Sequence, residues 1–148
     1  MLYIIEDFKK EHFPQVKELI HKNFSTPWSD ENILFETESS IKRVILDINQ
    51  TVIAFVDGYT VHDEADLLLL VVKKDFRRKG FGELLLKTFI DDVKEKDVKN
   101  VFLEVSETNI PAISLYKKYG FKIYGKRKDY YGKGQNAILM KLELNGSR

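Results

Sequence analysis

The stretch LLLLVVKKDFRRKGFGELLLKTF, residues 67–89, decides the fold of this chain. An apolar run at residues 67–72 predicts a buried strand, and the basic segment Arg77-Arg78-Lys79 follows, with Gly80 and Gly82. A helix that begins at Gly80 leaves backbone N–H groups unpaired in its first turn, and their partial positive charge attracts anions. The basic side chains add hydrogen-bond donors, so the stretch predicts a cradle for a polyanionic ligand. The alternative is a basic loop that caps an ordinary helix, because the Rossmann glycine spacing is absent.

The residues after the glycines predict an amphipathic helix over residues 80–96. Apolar side chains recur there at helical spacing, at Phe81, Leu84, Leu85, Phe89, Ile90 and Val93. Charged side chains lie on the other side, at Glu83, Lys87, Asp91 and Lys94. Such a pattern predicts that one face of the helix packs on a sheet.

Length and charge exclude several classes of protein. A chain of 148 residues predicts a single domain over residues 1–148. Because 24 basic residues balance 23 acidic ones, no global field favours nucleic acid or an anionic membrane. The longest apolar run, residues 67–72, is too short to span a bilayer, and the N-terminus has no signal-peptide core. These features predict a cytoplasmic protein.

The absence of cysteine excludes disulfides, thiolate metal sites and an acyl-cysteine intermediate. The three histidines, His12, His21 and His62, are scattered without the spacing of metal ligands. We therefore expect no metal site, and we interpret each histidine as an ordinary surface residue or one with satisfied hydrogen bonds.

The whole chain reads as an α+β domain with the element order β-α-α-β-β-β-α-β-α-β-β. The predicted strands cover residues 2–7, 42–48, 51–59, 66–72, 100–105, 122–130 and 136–144. The predicted helices cover residues 13–23, a short segment capped by Ser29 and running to residue 38, residues 80–96, and residues 110–119, ended by Gly120. The central strand-helix-strand predicts one parallel strand pair in a mixed, mostly antiparallel, seven-stranded sheet. We expect residues 145–148 to fray.

Two residues in the second half are candidates for acid–base chemistry. In the strand at residues 100–105 the pleat places Val101, Leu103 and Val105 on one side and Phe102 and Glu104 on the other. Apolar neighbours would raise the pKa of Glu104 and make it a base for near-neutral proton transfer; a solvated strand glutamate is the alternative. Tyr116, on the helix at 110–119, is either an acid or a core side chain with its hydroxyl at the rim. Asn109 is most simply the N-cap of that helix.

The motifs together resemble the GNAT superfamily of acetyl-coenzyme A-dependent N-acetyltransferases. The resemblance rests on Arg77 to Gly82 (Arg/Gln-x-x-Gly-x-Gly/Ala), Leu103-Glu104-Val105, and residues 109–121 (Asn-x-x-Ala-x-x-Leu-Tyr-x-x-x-Gly-Phe). Within it the chain is most similar to the RimI-like N-terminal protein acetyltransferases, through Pro27-Trp28-Ser29, Asp63-Glu64-Ala65 and Tyr130-Tyr131. It departs from the family where Asn136 replaces a frequent acidic residue and Lys74 a frequent proline.

The resemblance implies helices on both faces of the sheet, acetyl-coenzyme A as cosubstrate and no metal. It assigns cofactor contacts to Leu70, Val71, Val72, Arg77, Arg78, Lys79, Gly80, Phe81, Gly82, Glu83 and Asn109. In such enzymes two parallel strands splay and the thioester lies in the gap. Glu104 would take a proton from the amine, directly or through water, Tyr116 would protonate the departing thiolate, and a backbone N–H near Val71 would polarise the carbonyl. Acceptor contacts fall on Trp28, Tyr130 and Tyr131, the tyrosines on the loop between the last two strands, together with residues 27–32.

The acceptor that the resemblance favours is a protein N-terminal α-amine, with the alanine N-terminus of a small-subunit ribosomal protein as precedent. A small-molecule amine, such as a polyamine or an amino sugar, is the second hypothesis. A non-catalytic coenzyme A-binding module is the third. We expect neither nucleic acid nor membrane as a partner, and the oligomeric state stays open between monomer and homodimer.

Overall fold

A computed structural model describes residues 1–24 and 28–144 of the chain. The strands are β1 (Tyr3–Asp7), β2 (Ser40–Asp47), β3 (Val52–Val61), β4 (Glu64–Val72), β5 (Asn100–Ser106), β6 (Lys122–Gly132) and β7 (Gln135–Glu143). The helices are α1 (Phe13–Asn23), α2 (Asp30–Leu34), α3 (Phe81–Glu95) and α4 (Ile110–Lys118). The predicted element order is thereby confirmed.

The strands of the described residues form a seven-stranded sheet in the order β1-β2-β3-β4-β5-β7-β6. β4 and β5 pair in parallel from Glu64↔Asn100 to Leu67↔Leu103. The pairs β1–β2, β5–β7 and β6–β7 are antiparallel. The mixed sheet with one central parallel pair is therefore confirmed, and its cause is α3, which carries the chain from the end of β4 to the start of β5.

The chain divides into two compact units. The first unit comprises Met1–Gly58 and Leu69–Asp92. Its core is a cluster of buried apolar side chains from β2, β3, β4, α1, α2 and the segment after β1: Phe8, Val16, Leu19, Ile20, Ile33, Val44, Leu46, Val52, Phe55, Leu69 and Val71. On α3, Leu86 is fully buried and Leu84 only partly, so the apolar face of this helix includes one residue that the sequence analysis omitted.

The second unit comprises Tyr59–Leu68 and Val93–Arg148. On β5, Val101, Leu103 and Val105 are buried and alternate with partly exposed neighbours, as the pleat predicts. Helix α4 ends at Gly120, whose φ of +97° lies in the left-handed region. The N–H of Gly120 donates to Lys117 O (3.0 Å) and that of Phe121 to Tyr116 O (3.0 Å), the hydrogen bonds of a Schellman motif.

Two predicted boundaries are wrong. Helix α2 ends at Leu34 rather than at residue 38, because Phe35 adopts an extended backbone (φ −60°, ψ 126°). The chain then turns, with the Thr37 N–H donating to the Ser40 hydroxyl at 3.0 Å. Tyr131 lies inside β6, not on the following loop. Pro27 and the tail at residues 145–148 lie outside the described residues.

Within the described residues no helix combines the length and the apolar character that crossing a membrane requires.

Candidate active site

The loop between β4 and α3 carries the residues for which the sequence predicts an anion cradle. Gly80 adopts φ +87° and Arg78 adopts φ +62°, two left-handed conformations within three residues. A Cβ atom built at Gly80 meets no heavy atom within 4 Å, so the backbone there is open to a ligand. Arg78 and Lys79 are exposed beside this opening. The first turn of α3 therefore offers backbone donors and cationic side chains that fit a pyrophosphate.

Phe81 fixes the position of the cradle at the start of α3. Its side chain is buried, and its ring packs edge-on against Tyr3 (centroids 5.2 Å apart) and Phe76 (6.4 Å). The Leu84 N–H donates to Gly80 O at 3.0 Å and closes the first turn. The Phe81 side chain therefore packs in the first unit and anchors the start of α3. Gly82 and Glu83, in the same turn, are partly buried.

The guanidinium of Arg77 is directed toward α1. Its Nε donates to Val72 O at 3.1 Å, and its Nη2 donates to Asn23 Oδ1. Arg77 also lines a cavity of about 690 Å³ together with Lys73, Lys74 and residues of α1. Its side chain therefore holds the cradle loop on the first unit, and its contact with a cofactor stays a prediction.

The end of β4 supplies the other predicted cofactor contacts. Leu69 and Val71 point into the core of the first unit, so Leu70 and Val72, which are only partly buried, point to the opposite face. The Lys73 N–H donates to Ile53 O at 2.8 Å and fixes the strand end on β3. The parallel ladder ends at Leu67↔Leu103, while β4 continues to Val72.

Glu104 on β5 carries an accessible carboxylate. Its Oε1 accepts a hydrogen bond from Nη1 of Arg127 at 2.8 Å, and its side chain is 32% exposed. The expectation that Glu104 lies among apolar neighbours is therefore wrong, because the guanidinium of Arg127 on β6 is its partner. The sheet order explains the contact: β7 lies between β5 and β6, and pairs Glu104 with Leu139 and Arg127 with Ala137.

Arg127 and the end of β6 build an aromatic cluster around this carboxylate. The guanidinium carbon of Arg127 lies 4.2 Å from the ring centre of Tyr130, a cation–π contact. Tyr130 and Tyr131 pack edge-on with centroids 5.0 Å apart. A hydrogen bond between the Tyr130 hydroxyl and Glu104 raises the pKa of Tyr130, as do its partial burial and the charge of Glu104. Tyr130 thus stays a neutral donor to the carboxylate.

Irregular pairing of β6 with β7 positions the two tyrosines. The register shifts between Arg127 and Gly132, and Asp129 adopts φ +57°. The Asp129 N–H donates to Asn136 Oδ1 at 2.8 Å, and the Gly134 N–H donates to Asp129 Oδ1 at 2.6 Å. Such a bulge redirects side chains at the end of a strand.

Tyr116 on α4 is a buried phenol. It is 7% exposed, and its ring packs against Phe121 with centroids 5.6 Å apart. Burial raises its pKa strongly, and the neighbouring Tyr131 adds to the shift. The hydroxyl of Tyr116 therefore keeps its proton at neutral pH.

Asn109 is the N-cap of α4, as the sequence predicts: its Oδ1 accepts a hydrogen bond from the Ala112 N–H at 3.3 Å. Because this oxygen serves the helix, a contact of Asn109 with the cofactor stays a prediction.

Trp28 lies in the first unit, directly before the N-cap of α2. Its partly buried side chain packs against the core cluster of that unit. Ser29 caps α2 as predicted, with its hydroxyl accepting from the Asn32 N–H at 3.1 Å. The role of Trp28 in acceptor binding stays a prediction.

Sequence reasoning missed Arg127. It is one of four basic residues in β6, and nothing in its local pattern distinguishes it. Among residues 1–24 and 28–144, no group of three or more His, Cys, Asp or Glu side chains could hold a metal ion.

Comparisons with known proteins agree with this geometry. The family model described as "Acetyltransferase (GNAT) family" matches residues 3–121. The [ribosomal protein bS18]-alanine N-acetyltransferase of Haemophilus influenzae is 33% identical over 93% of this chain and 96% of its own. The enzyme of that name from Salmonella typhimurium is 30% identical over 89% and 91%.

A solved structure shares the whole fold. The crystal structure of the ribosomal-protein-S18-alanine N-acetyltransferase from Escherichia coli superimposes with a TM-score of 0.90, covering 99% of this chain and 97% of that one at 26% identity. The chain therefore belongs to the GNAT family of acetyltransferases and is an acetyl-coenzyme A-dependent N-acetyltransferase.

Proposed function

We propose that the acceptor is the N-terminal α-amine of a protein, and specifically of a ribosomal protein. The Glu104 carboxylate carries this proposal, because Arg127 and Tyr130 hold this accessible base in place. The relatives named for the alanine of ribosomal protein bS18 support the choice of protein. Such an acceptor places the reaction in the cytoplasm.

The strength of base that each amine requires favours the α-amine. An α-amino group has a pKa of about 7.7 to 8.0 and a lysine about 10.4, so forming the neutral amine at pH 7 costs about 1 and about 4.6 kcal/mol respectively. One carboxylate, acting directly or through water, is a strong enough base for the α-amine, whose deprotonation has the smaller free-energy cost.

The first unit would hold the cosubstrate. Backbone N–H groups from Arg78 to Glu83 would bind the pyrophosphate, and Arg78 and Lys79 would neutralise its charge. The open space at Gly80 supports this assignment. The backbone of Leu70, Val71 and Val72 would pair with the pantetheine arm, and a backbone N–H near Val71 would donate to the thioester carbonyl. Acetyl-coenzyme A, when bound, supplies the acetyl group as an activated thioester.

The second unit would move the protons. Glu104 would take a proton from the ammonium of the acceptor, which frees the nitrogen lone pair for attack. Tyr116 would donate its retained proton to the departing sulfur, and the second proton lost by the nitrogen would replace it through solvent. Tyr130 and Tyr131 would contact the acceptor peptide, and in the first unit we assign an acceptor contact to Trp28.

The test is mass spectrometry of candidate acceptors incubated with acetyl-coenzyme A. We expect acetylation at the α-nitrogen of alanine-initiated peptides. We expect no product from N-terminally blocked peptides that contain lysine, or from polyamines and amino sugars. Turnover of the small amines without turnover of the peptides would overturn the proposed acceptor.

A further inference from the structure

A buried ion pair holds the last turn of α2. The Lys42 ammonium on β2 donates to Asp57 Oδ2 on β3 at 2.8 Å and to the Ile33 carbonyl of α2 at 2.9 Å. The side chains of Lys42 and Asp57 are 2% and 4% exposed. The last carbonyls of a helix have no partner within it, so Lys42 satisfies a group that α2 leaves unpaired.

A chain of contacts runs from this ion pair to Trp28. The Ile33 N–H donates to Ser29 O at 3.1 Å, and Trp28 immediately precedes Ser29. A helix of five residues, as α2 is, has too few internal hydrogen bonds to be stable alone. Its position therefore depends on what holds it, and the exposed Lys17–Asp30 pair contributes little.

The ion pair is a poor source of stability. Burial raises the pKa of Asp57 to about 6, against the opposing effects of Lys42 and the Gly58 N–H, and the charge of Glu36 raises it further. Ionised Asp57 is thus disfavoured by folding. Replacing a buried ion pair with apolar residues of similar volume is often neutral or stabilising. What the pair provides here is a fixed position for the Ile33 carbonyl.

We propose that Lys42 and Asp57 are positioning residues that fix α2, and with it Trp28, for acceptor binding. This inference rests on the proposed function, in which the segment around Trp28 binds the acceptor. The Lys42 ammonium contacts Asp57, the Ile33 carbonyl and the ring of Phe8, so we expect its effect on acceptor binding rather than on acetyl-coenzyme A.

The test is the double variant Lys42→Met/Asp57→Leu, which keeps the site apolar and filled. We expect it to fold with a melting temperature at or above that of the wild type, and to raise the KM for an alanine-initiated peptide about tenfold. We expect the KM for acetyl-coenzyme A and kcat at saturating peptide to stay within about twofold.

The matched control is Arg43→Met/Asp92→Leu. Arg43 is the neighbour of Lys42 on β2, and it forms an ion pair with Asp92 of α3 at 2.6 Å rather than a contact with α2. We expect this control variant to leave the peptide KM unchanged. An unchanged peptide KM in Lys42→Met/Asp57→Leu, or an equal rise for both substrates, would overturn the inference. Failure of the wild type to acetylate peptides would instead overturn the proposed acceptor.

Discussion

One ion pair in each compact unit bears on the proposed function, and the two pairs differ in burial. In the first unit the side chains of Lys42 and Asp57 are 2% and 4% exposed. In the second unit the side chains of Arg127 and Glu104 are 51% and 32% exposed. A buried pair is held in one arrangement because each charge requires its partner, whereas a half-exposed pair can exchange a partner for water or substrate. We therefore expect the Lys42–Asp57 pair to stay fixed and the Arg127–Glu104 pair to exchange partners.

The largest effect that separates the two pairs is expected from Glu104→Gln. Replacing the base by an amide should lower kcat by about 10²- to 10³-fold, because proton abstraction is lost while the shape is kept. The measurement is release of the coenzyme A thiol under saturating substrates. Glu107→Gln is the control, since Glu107 is also ion-paired, to Lys126 at 3.1 Å, and is 30% exposed. Equal kcat in both variants would remove Glu104 from the mechanism.

The pH dependence of stability tests the buried pair. The folded pKa of Asp57, about 6, exceeds its ordinary value of 3.8. Its stabilising contribution is therefore fully present below pH 3.8 and is lost as the pH rises through 6. The free energy of unfolding of the wild type minus that of Asp57→Asn should fall by about 2 kcal/mol between pH 4 and pH 7. Urea denaturation at the two pH values measures this difference in free energy of unfolding. A difference that grows with pH would mean that Lys42 changes the pKa of Asp57 more than burial does.

The backbone cradle is tested by Gly80→Val. A side chain at Gly80 would fill the space assigned to phosphate oxygens, so the affinity for coenzyme A should fall about tenfold or more, roughly 1.4 kcal/mol. Gly134→Val is the matched control: Gly134 also has a positive φ (+75°) and no atom within 4 Å of an added Cβ. Both variants carry the backbone strain, and calorimetry should show weaker binding only for Gly80→Val. Equal affinities would contradict the cradle.

The smallest effect is expected on the stability of Arg127→Gln. An exposed ion pair contributes about 0 to 1 kcal/mol, so the free energy of unfolding should change by no more than that. Thermal or urea denaturation measures it. A loss of several kcal/mol would show that the second unit holds its charges as rigidly as the first, and the contrast between the units would disappear.

Local sequence predicted the parts of the site that depend on backbone. Gly120 follows the end of α4 in a left-handed conformation, and Ser29 and Asn109 are short polar side chains that cap helices, so these local predictions were confirmed. Periodicity likewise predicted all seven strands and their mixed pairing. That residues 1–148 form a single domain stays a prediction.

Contacts between distant residues were decided by tertiary structure. The Glu104–Arg127 and Lys42–Asp57 pairs join residues 23 and 15 positions apart. Sequence determined the β-α-β core and the family, because glycine positions, caps and hydrophobic spacing act over a few residues. The partner of the proposed base and the position of α2 required the folded sheet, because strand order and burial decide which charges meet.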